Sequence, residues 1–159
     1  MARFRIRLAE AADAETLARM ANVFDAEDMG AESLQPFTPA TVMRDMIGPD
    51  AVLKTLVADA GGRLVGFPNH LPSYRFESAE PAFWLESLYV VAEFRRAGVA
   101  RALMAAVAAD CLARGAAALY WGVRMVNDEG KGFYSAINAQ SEKAEILALY
   151  RDEMAALDT

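Results

Sequence analysis

One segment, Phe83 to Leu103, joins an apolar run, a basic turn with a single glycine and the start of an alanine-rich stretch. The apolar run, Phe83 to Val91, predicts a buried strand. The basic turn from Arg95 to Gly98 follows it, and the pattern beyond the turn predicts a helix. A buried strand that leads into a helix through a tight turn indicates an α/β chain, and such a turn is suited to holding phosphates.

The turn has three features that favour an anion. The first amides of a helix lack partners within the helix and lie at the positive end of its dipole. Gly98 lets the backbone approach a ligand closely, because it has no Cβ. Arg95, Arg96 and Arg101 add charge and directed donors. Neither Gly-x-Gly-x-x-Gly nor a P-loop pattern is present, and on this short pattern alone an ordinary basic helix start remains an alternative.

Composition limits the class of protein. The 159 residues, 55% of them hydrophobic, fit one globular domain spanning 1–159. Net charge of −6 argues against a nucleic-acid partner, and the local arginine cluster in this acidic chain predicts a small anionic ligand. No apolar run reaches the roughly 18 to 20 residues that cross a membrane, and the N-terminus does not resemble a secretory signal. With Cys111 as the only cysteine, we expect a cytoplasmic protein without disulfides or a membrane partner.

Hydrophobic periodicity predicts the other elements. Their order indicates an α/β (α+β) chain whose central mixed β-sheet is flanked by helices. Pro68 predicts a bulge, a strand end or an edge. The predicted elements are a strand Phe4–Leu8, a helix Asp13–Asp25, a short helix from Thr38 or Thr41 to Ile47, strands Leu53–Ala58 and Leu64–Phe67, a loop 69–81, the helix Val99–Arg114, a strand Ala118–Val123, a helix Gly130–Ala136 and a last strand Ile146–Tyr150.

A second motif, Asn127-x-x-Gly130-x-x-Phe133-Tyr134, follows the strand predicted at 118. Asn127 can cap the short helix or bond to an amide-bearing ligand. Tyr134 offers a phenol at that helix. Taken alone, Phe133 and Tyr134 are more simply an aromatic pair of the core.

Together with the run Leu85 to Val90, the two motifs resemble the GCN5-related N-acetyltransferases (GNAT). Within that superfamily they are most similar to the diamine (polyamine) acetyltransferase-like branch. The resemblance implies a GNAT-like acyl-CoA N-acyltransferase fold, acetyl-CoA as co-substrate and no metal. It also implies that the backbone of Leu88 to Val90 pairs with the pantetheine arm and that the arginine turn binds the pyrophosphate. The residues implied for the cofactor are Leu88, Tyr89, Val90, Arg95, Arg96, Ala97, Gly98, Val99, Ala100, Arg101 and Asn127.

The chain departs from the family pattern at three places. Ala100 replaces a commoner glycine, which the pattern tolerates. The segment 135–139 lacks the usual glycine, and Asn138 can supply the left-handed turn instead. Ser87 stands where related amine acetyltransferases often carry an acid, which weakens the diamine assignment more than the acetyltransferase one.

Acetyl transfer to an amine needs a proton acceptor and a proton donor. Our candidate base is Glu86, acting directly or through water; a carboxylate that faces solvent or pairs with an arginine is an equal alternative. A backbone N–H near Leu88 can polarise the carbonyl. By the resemblance, Tyr134 sits at the position of the general acid.

The acceptor site is the least constrained part of the prediction. Glu27, Asp28 and Glu32 lie where family members build part of the acceptor pocket, although a solvated acidic loop is the simpler alternative. Glu27 and Glu86 are therefore the candidate substrate-binding residues. His70 is the only histidine; it could serve as a base, but a loop histidine with a structural role or none is the expected case. No spacing typical of a metal site occurs.

The predicted function is transfer of an acetyl group from acetyl-CoA to a primary amine of a small molecule, by direct attack in a ternary complex. The acceptor would be a polyamine, an amino-acid-like or an aminoglycoside-like molecule. A non-catalytic acyl-CoA-binding or regulatory domain, or an acetyltransferase for protein N-termini or lysines, is the alternative. A homodimer is an option that the sequence does not fix.

Overall fold

A computed structural model of the chain describes residues 3–30 and 35–157. The fold divides into two compact units, Met1–Gly122 and Val123–Thr159. Among the described residues, the first unit carries a five-stranded sheet with three α-helices, and the second carries two short α-helices.

The sheet of the first unit is mixed, as the sequence predicts. Its spatial order follows the chain order from β1 to β5. The first four strands pair antiparallel, and β5 joins β4 in parallel after a helical crossover. The strands are β1 (Arg5–Leu8), β2 (Lys54–Ala60), β3 (Arg63–Arg75), β4 (Glu80–Val90) and β5 (Ala118–Tyr120).

The helices of the first unit begin and end close to the predicted residues. α1 (Ala14–Met29) runs about one turn further than expected. α2 (Pro39–Val42) starts at the predicted cap, Thr38, whose hydroxyl accepts a hydrogen bond from Thr41 N, and it continues as a π-helical turn to Ile47. α3 (Val99–Ala113) agrees with the prediction at both ends.

Helices cover both faces of the sheet. Neighbouring residues of a strand point to opposite faces, so Val57 and Tyr89 pack with α1 and α2, whereas Ala58 and Val90 pack with α3. β4, the strand that the candidate site uses, is therefore held by packing on both faces of the sheet.

The loop predicted at 69–81 is wrong. β3 continues to Arg75 and forms a hairpin with β4, in which Arg75 pairs with Glu80. Sequence reasoning missed the strand because Asn69 and His70 interrupt its apolar pattern. Pro68 lies within this central strand, next to a bulge between β3 and β4.

Two further expectations about strands need correction. The strand expected at Ile146–Tyr150 does not form, and Ile146 and Leu147 are 80% and 87% exposed. A β-rich composition does not make a strand without a partner strand. β5 ends at Tyr120 rather than Val123.

The second unit begins its first helix at the predicted cap. α4 (Asp128–Ala136) starts after Asn127, whose Oδ1 accepts a hydrogen bond from Gly130 N at 2.8 Å. Asn138 adopts the left-handed conformation with φ of 60°, as expected for a residue that replaces glycine there. α5 (Arg151–Ala156) follows the extended segment.

Candidate active site

The sheet opens on one side of β4. Pairing with β5 ends where Trp84 meets Tyr120, yet β4 continues to Val90. In the part of the chain that the structure describes, no other strand pairs with this edge. The stretch from Leu85 to Val90 therefore presents backbone groups that an extended ligand can pair with.

The direction of each backbone group along this edge follows from one hydrogen bond. Val91 N donates to Val65 O of β3 at 3.0 Å. Groups alternate sides in an antiparallel pair, so Leu88 and Val90 turn their N–H and C=O groups toward the open edge. Val90 O already accepts from Arg95 Nε at 3.0 Å. The N–H groups of Leu88 and Val90 and the Leu88 carbonyl are thus directed to the opening.

Glu86 lies at a bulge of β4. His70 pairs with Leu85 and Asn69 pairs with Ser87, so Glu86 has no partner residue on β3. A bulge redirects a side chain and bends its strand, and bulges often occur beside active sites. The Glu86 side chain is exposed. The predicted base therefore sits beside the open backbone edge in sequence and in the strand.

The turn between β4 and α3 has the shape that the sequence predicts. Gly98 precedes the first residue of α3 and has φ of 85°, and Arg96 is left-handed as well, with φ of 61°. A Cβ on Gly98 would meet no atom of the described residues within 4 Å. Open space therefore faces the turn where the first amides of α3 lie, which fits an anionic group such as a diphosphate.

The neighbouring arginines of the turn differ in their surroundings. Arg95 bonds to Val90 O and forms an ion pair with Glu27, with 2.6 Å between Nη2 and Oε2. Arg96 is exposed, and its side chain contacts no hydrogen-bond or ion-pair partner within residues 3–30 and 35–157. The structure thus brings together two residues, Glu27 and Arg95, for which the sequence suggests separate ligands.

Two further acidic residues, Asp28 and Glu32, were predicted near Glu27. Asp28 also lies on α1, rather than in the predicted loop. Glu32 lies outside the described residues.

The predicted acid and its neighbours belong to the second unit. Burial raises the pKa of the Tyr134 phenol above its usual value, so the hydroxyl keeps its proton at neutral pH. The rings of Phe133 and Tyr134 lie 5.3 Å apart. Asn127 uses its side-chain oxygen to cap α4, which was one of its two predicted roles.

A row of buried polar side chains crosses the sheet on the face of α1, and sequence reasoning missed it. Thr55, Asn69 and Ser87 are cross-strand neighbours on β2, β3 and β4. Thr55 Oγ1 donates to Asn69 Oδ1 at 2.8 Å, whereas the buried Ser87 Oγ has no partner among the described residues. The polar break in an apolar strand was the available signal.

The only histidine is buried in β3 rather than exposed in a loop. His70 Nε2 lies 2.8 Å from Asp110 Oδ2 on α3, and its Nδ1 has no partner in the described chain. Asp110 also forms ion pairs with Lys54 and Arg114. Because the ring is fully buried on the α3 face, this pair joins the sheet to the helix.

One cleft among the described residues lies away from the glycine turn. Its volume is about 470 Å³, and Lys54 and Arg114 contribute its charge. Arg114 caps the far end of α3, roughly 24 Å from Gly98 at the rise of an α-helix. Both cations pair with Asp110, so we do not place the reaction there.

Within residues 3–30 and 35–157, no group of three histidine, cysteine, aspartate or glutamate side chains could hold a metal ion. No described helix is both long and apolar enough to cross a membrane.

Known structures share this fold. A ribosomal-protein-alanine N-acetyltransferase from Brucella melitensis biovar Abortus 2308 is 21% identical, with a TM-score of 0.77, and the match covers 93% of this chain and all of that one. An aminoglycoside acetyltransferase from an uncultured soil metagenomic sample, solved with sisomicin, is 15% identical with a TM-score of 0.74, over 92% and 95% of the two chains. The aminoglycoside N-acetyltransferase AAC(6')-Iy, solved with CoA, is 18% identical with a TM-score of 0.73, over 94% and 95%.

The open edge of β4, the glycine turn and the mixed sheet define an acyltransferase fold. A family model described as "Acetyltransferase (GNAT) family" matches residues 18–138. The chain therefore belongs to the GNAT acetyltransferase family and is an acetyl-CoA-dependent N-acetyltransferase. A search of curated proteins finds no matching sequence. The matches do not distinguish the diamine branch, which stays a prediction.

Proposed function

We propose that the protein transfers an acetyl group from acetyl-CoA to a primary amine of a small molecule, with both bound at the open edge of β4. The observation that carries this proposal is the continuity of that edge with the glycine turn. The N–H groups of Leu88 and Val90 lie a few residues before the turn that ends at Gly98. One ligand with an amide-bearing arm and a diphosphate matches both features.

The chain has separate groups for each part of the cofactor. The backbone of Leu88 to Val90 would pair with the pantetheine arm, because these groups turn toward the opening. The amides from Ala97 to Arg101 would hold the diphosphate at the start of α3. The exposed Arg96 would add positive charge beside the diphosphate. Asn127 stays a candidate for binding the pantetheine arm.

The proposed chemistry needs three groups of this chain. Acetyl-CoA supplies an activated acetyl group: the amine nitrogen bonds to its carbonyl carbon while the carbon–sulfur bond breaks. The N–H of Leu88 would polarise the carbonyl oxygen. Glu86 would accept the proton of the amine, directly or through water. Tyr134 would donate its proton to the sulfur that leaves, since its raised pKa keeps the phenol protonated.

The acceptor is a small amine in this proposal. Glu86 offers a carboxylate at the opening, which suits a cationic amine. Two of the similar structures are named aminoglycoside acetyltransferases, so aminoglycosides belong in the first panel of acceptors. Diamines and amino acids complete the panel that the sequence motifs suggest.

A thiol-release assay tests the function. Purified protein is mixed with acetyl-CoA and each amine, and free coenzyme A is measured with a thiol reagent. We expect release that depends on one class of small amine, and mass spectrometry should find the acetylated acceptor. A panel of peptides with free N-termini or lysines serves as the comparison.

The outcomes separate the competing functions. Coenzyme A binding without turnover on any amine would support a non-catalytic acyl-CoA-binding domain instead. Turnover on peptides alone would identify a protein acetyltransferase. Absence of coenzyme A binding at millimolar concentration would remove the basis of the proposal.

A further inference from the structure

An ion pair links the end of α1 to the glycine turn. Glu27 lies in the last turns of α1, and its Oε2 is 2.6 Å from Arg95 Nη2. The two residues are far apart in the chain and belong to different elements of the first unit. Both side chains are partly shielded, with 33% of Arg95 and 46% of Glu27 exposed. The pair therefore ties the start of the turn to a helix on one face of the sheet.

Arg95 is also held by β4. Its Nε donates to Val90 O at 3.0 Å, and its guanidinium carbon lies 5.9 Å from the centre of the Tyr89 ring. Tyr89 is buried and packs between Phe24 and Phe67, with 6.0 Å between ring centres on each side. The guanidinium thus lies over a buried aromatic cluster and bonds to one acceptor on β4 and another on α1.

We propose that Glu27 and Arg95 form a positioning pair, which sets the turn from Arg95 to Gly98 for the diphosphate of coenzyme A. The Glu27 carboxylate then serves Arg95 and does not bind the ammonium group of the acceptor. This inference rests on the proposed function, because it requires coenzyme A as the ligand. Glu27 is a positioning residue in it, acting on the cofactor through Arg95.

Charge and positioning predict opposite effects of Glu27 on the binding of coenzyme A. Glu27 is an anion near a site for an anionic ligand, so removal of its charge alone would tighten coenzyme A binding. Loss of positioning would weaken binding instead, because a more mobile turn loses more conformational entropy when the ligand orders it. A weaker complex after neutralisation of Glu27 is therefore explained by positioning and not by charge.

The first experiment measures the dissociation constant of coenzyme A by calorimetry. We expect E27Q to weaken binding about fivefold, the size of a partly shielded ion pair. R95Q should weaken binding too, and the double variant E27Q/R95Q should bind no more weakly than R95Q. Glu93→Gln is the matched control, because Glu93 also precedes the turn and pairs with an arginine, Arg63. Its binding should equal that of the wild type.

A charge-matched variant removes the remaining ambiguity. Glu27→Asp keeps the negative charge but shortens the side chain, which breaks the 2.6 Å contact. We expect weaker binding from this variant as well. Circular dichroism at the assay temperature checks that each variant is folded, and a merely structural role would lower the melting temperature without changing the dissociation constant.

Kinetics separates the cofactor role from an acceptor role. At saturating acetyl-CoA, E27Q should leave the KM of the amine unchanged. A raised amine KM with an unchanged coenzyme A dissociation constant would overturn the inference and make Glu27 an acceptor residue. Wild-type protein that binds coenzyme A no better than E27Q overturns this inference alone, whereas wild-type protein that binds none overturns the proposed function with it.

Discussion

His70 and Asp110 connect the sheet to α3 through a contact of 2.8 Å between Nε2 and Oδ2. The ring is fully buried, and Nδ1 has no partner among the described residues. Asp110 is therefore the one described hydrogen-bond partner of this imidazole. The same carboxylate accepts a hydrogen bond from Lys54, so its removal would leave the buried imidazole without its described partner and would also break the Lys54 ion pair.

We expect Asp110→Ala to lower the free energy of unfolding by about 2–3 kcal/mol, because a buried polar group loses its partner. Urea unfolding measures this value. Asp45→Ala is the control, since Asp45 pairs with Arg44 at the surface, and it should leave the free energy of unfolding near the wild-type value. Equal stability of the two variants would contradict a structural role for the pair.

The same carboxylate predicts a pH dependence. Burial alone would raise the pKa of Asp110, but hydrogen bonds from His70 and Lys54 outweigh it and hold the pKa below 3.8. A depressed pKa stabilises the fold above the ordinary value, and this stabilisation is lost as pH falls through the folded value. The difference in unfolding free energy between wild type and Asp110→Ala should therefore shrink below pH 3.8.

Two glycines give a matched test of the turn. Gly98 has φ of 85°, so alanine there costs about 1–2 kcal/mol in strain, although the space is open. Gly132 lies inside α4 with open space and no positive φ, so alanine should stabilise by about 0.5–1 kcal/mol. Thermal and urea unfolding of the two variants compare them directly. A Gly98→Ala protein as stable as wild type would show that the turn does not need this conformation.

Arg96 should affect the binding of coenzyme A without affecting the stability of the fold. Arg96 is exposed and contacts no side-chain partner in the described residues, so Arg96→Gln should not change the melting temperature. We expect it to weaken coenzyme A binding about tenfold, the size of one charge-assisted hydrogen bond. Arg19→Gln, another exposed arginine, should bind normally. Unchanged affinity of Arg96→Gln would remove Arg96 from the diphosphate site.

Much of the fold could be predicted because its signals are local. The apolar run of β4, the glycine before α3 and the caps of α2 and α4 each depend on neighbouring residues, and the structure agrees with them. The continuation of β3 through His70 could not be predicted in this way. Its polar side chains are satisfied by residues distant in sequence, Thr55 for Asn69 and Asp110 for His70.

In the candidate site, too, the features that depend on neighbouring residues could be predicted, and those that depend on distant residues could not. The glycine turn is a short motif, so its place at the start of α3 followed from the sequence. The bulge that leaves Glu86 without a partner depends on the register between β3 and β4, and no spacing within β4 reveals it. The contact between Glu27 and Arg95 joins distant segments, and the sequence therefore suggested separate roles for the two residues.

Tyr134→Phe tests the proposed proton donor. The variant removes only the hydroxyl, so we expect kcat to fall about a hundredfold, as for loss of a general acid. Calorimetry should give an unchanged dissociation constant for coenzyme A, and thermal unfolding checks the fold.

The pH profile of Tyr134→Phe distinguishes a proton donor from a packing residue. Burial raises the pKa of the Tyr134 phenol above 10.0, so the wild-type enzyme should lose activity only at pH values above that. The phenylalanine variant has no such proton, and its remaining activity should lack this alkaline decline. Full turnover by the variant would show that another group protonates the leaving sulfur. The same alkaline decline in both proteins would show that another group titrates, because phenylalanine does not.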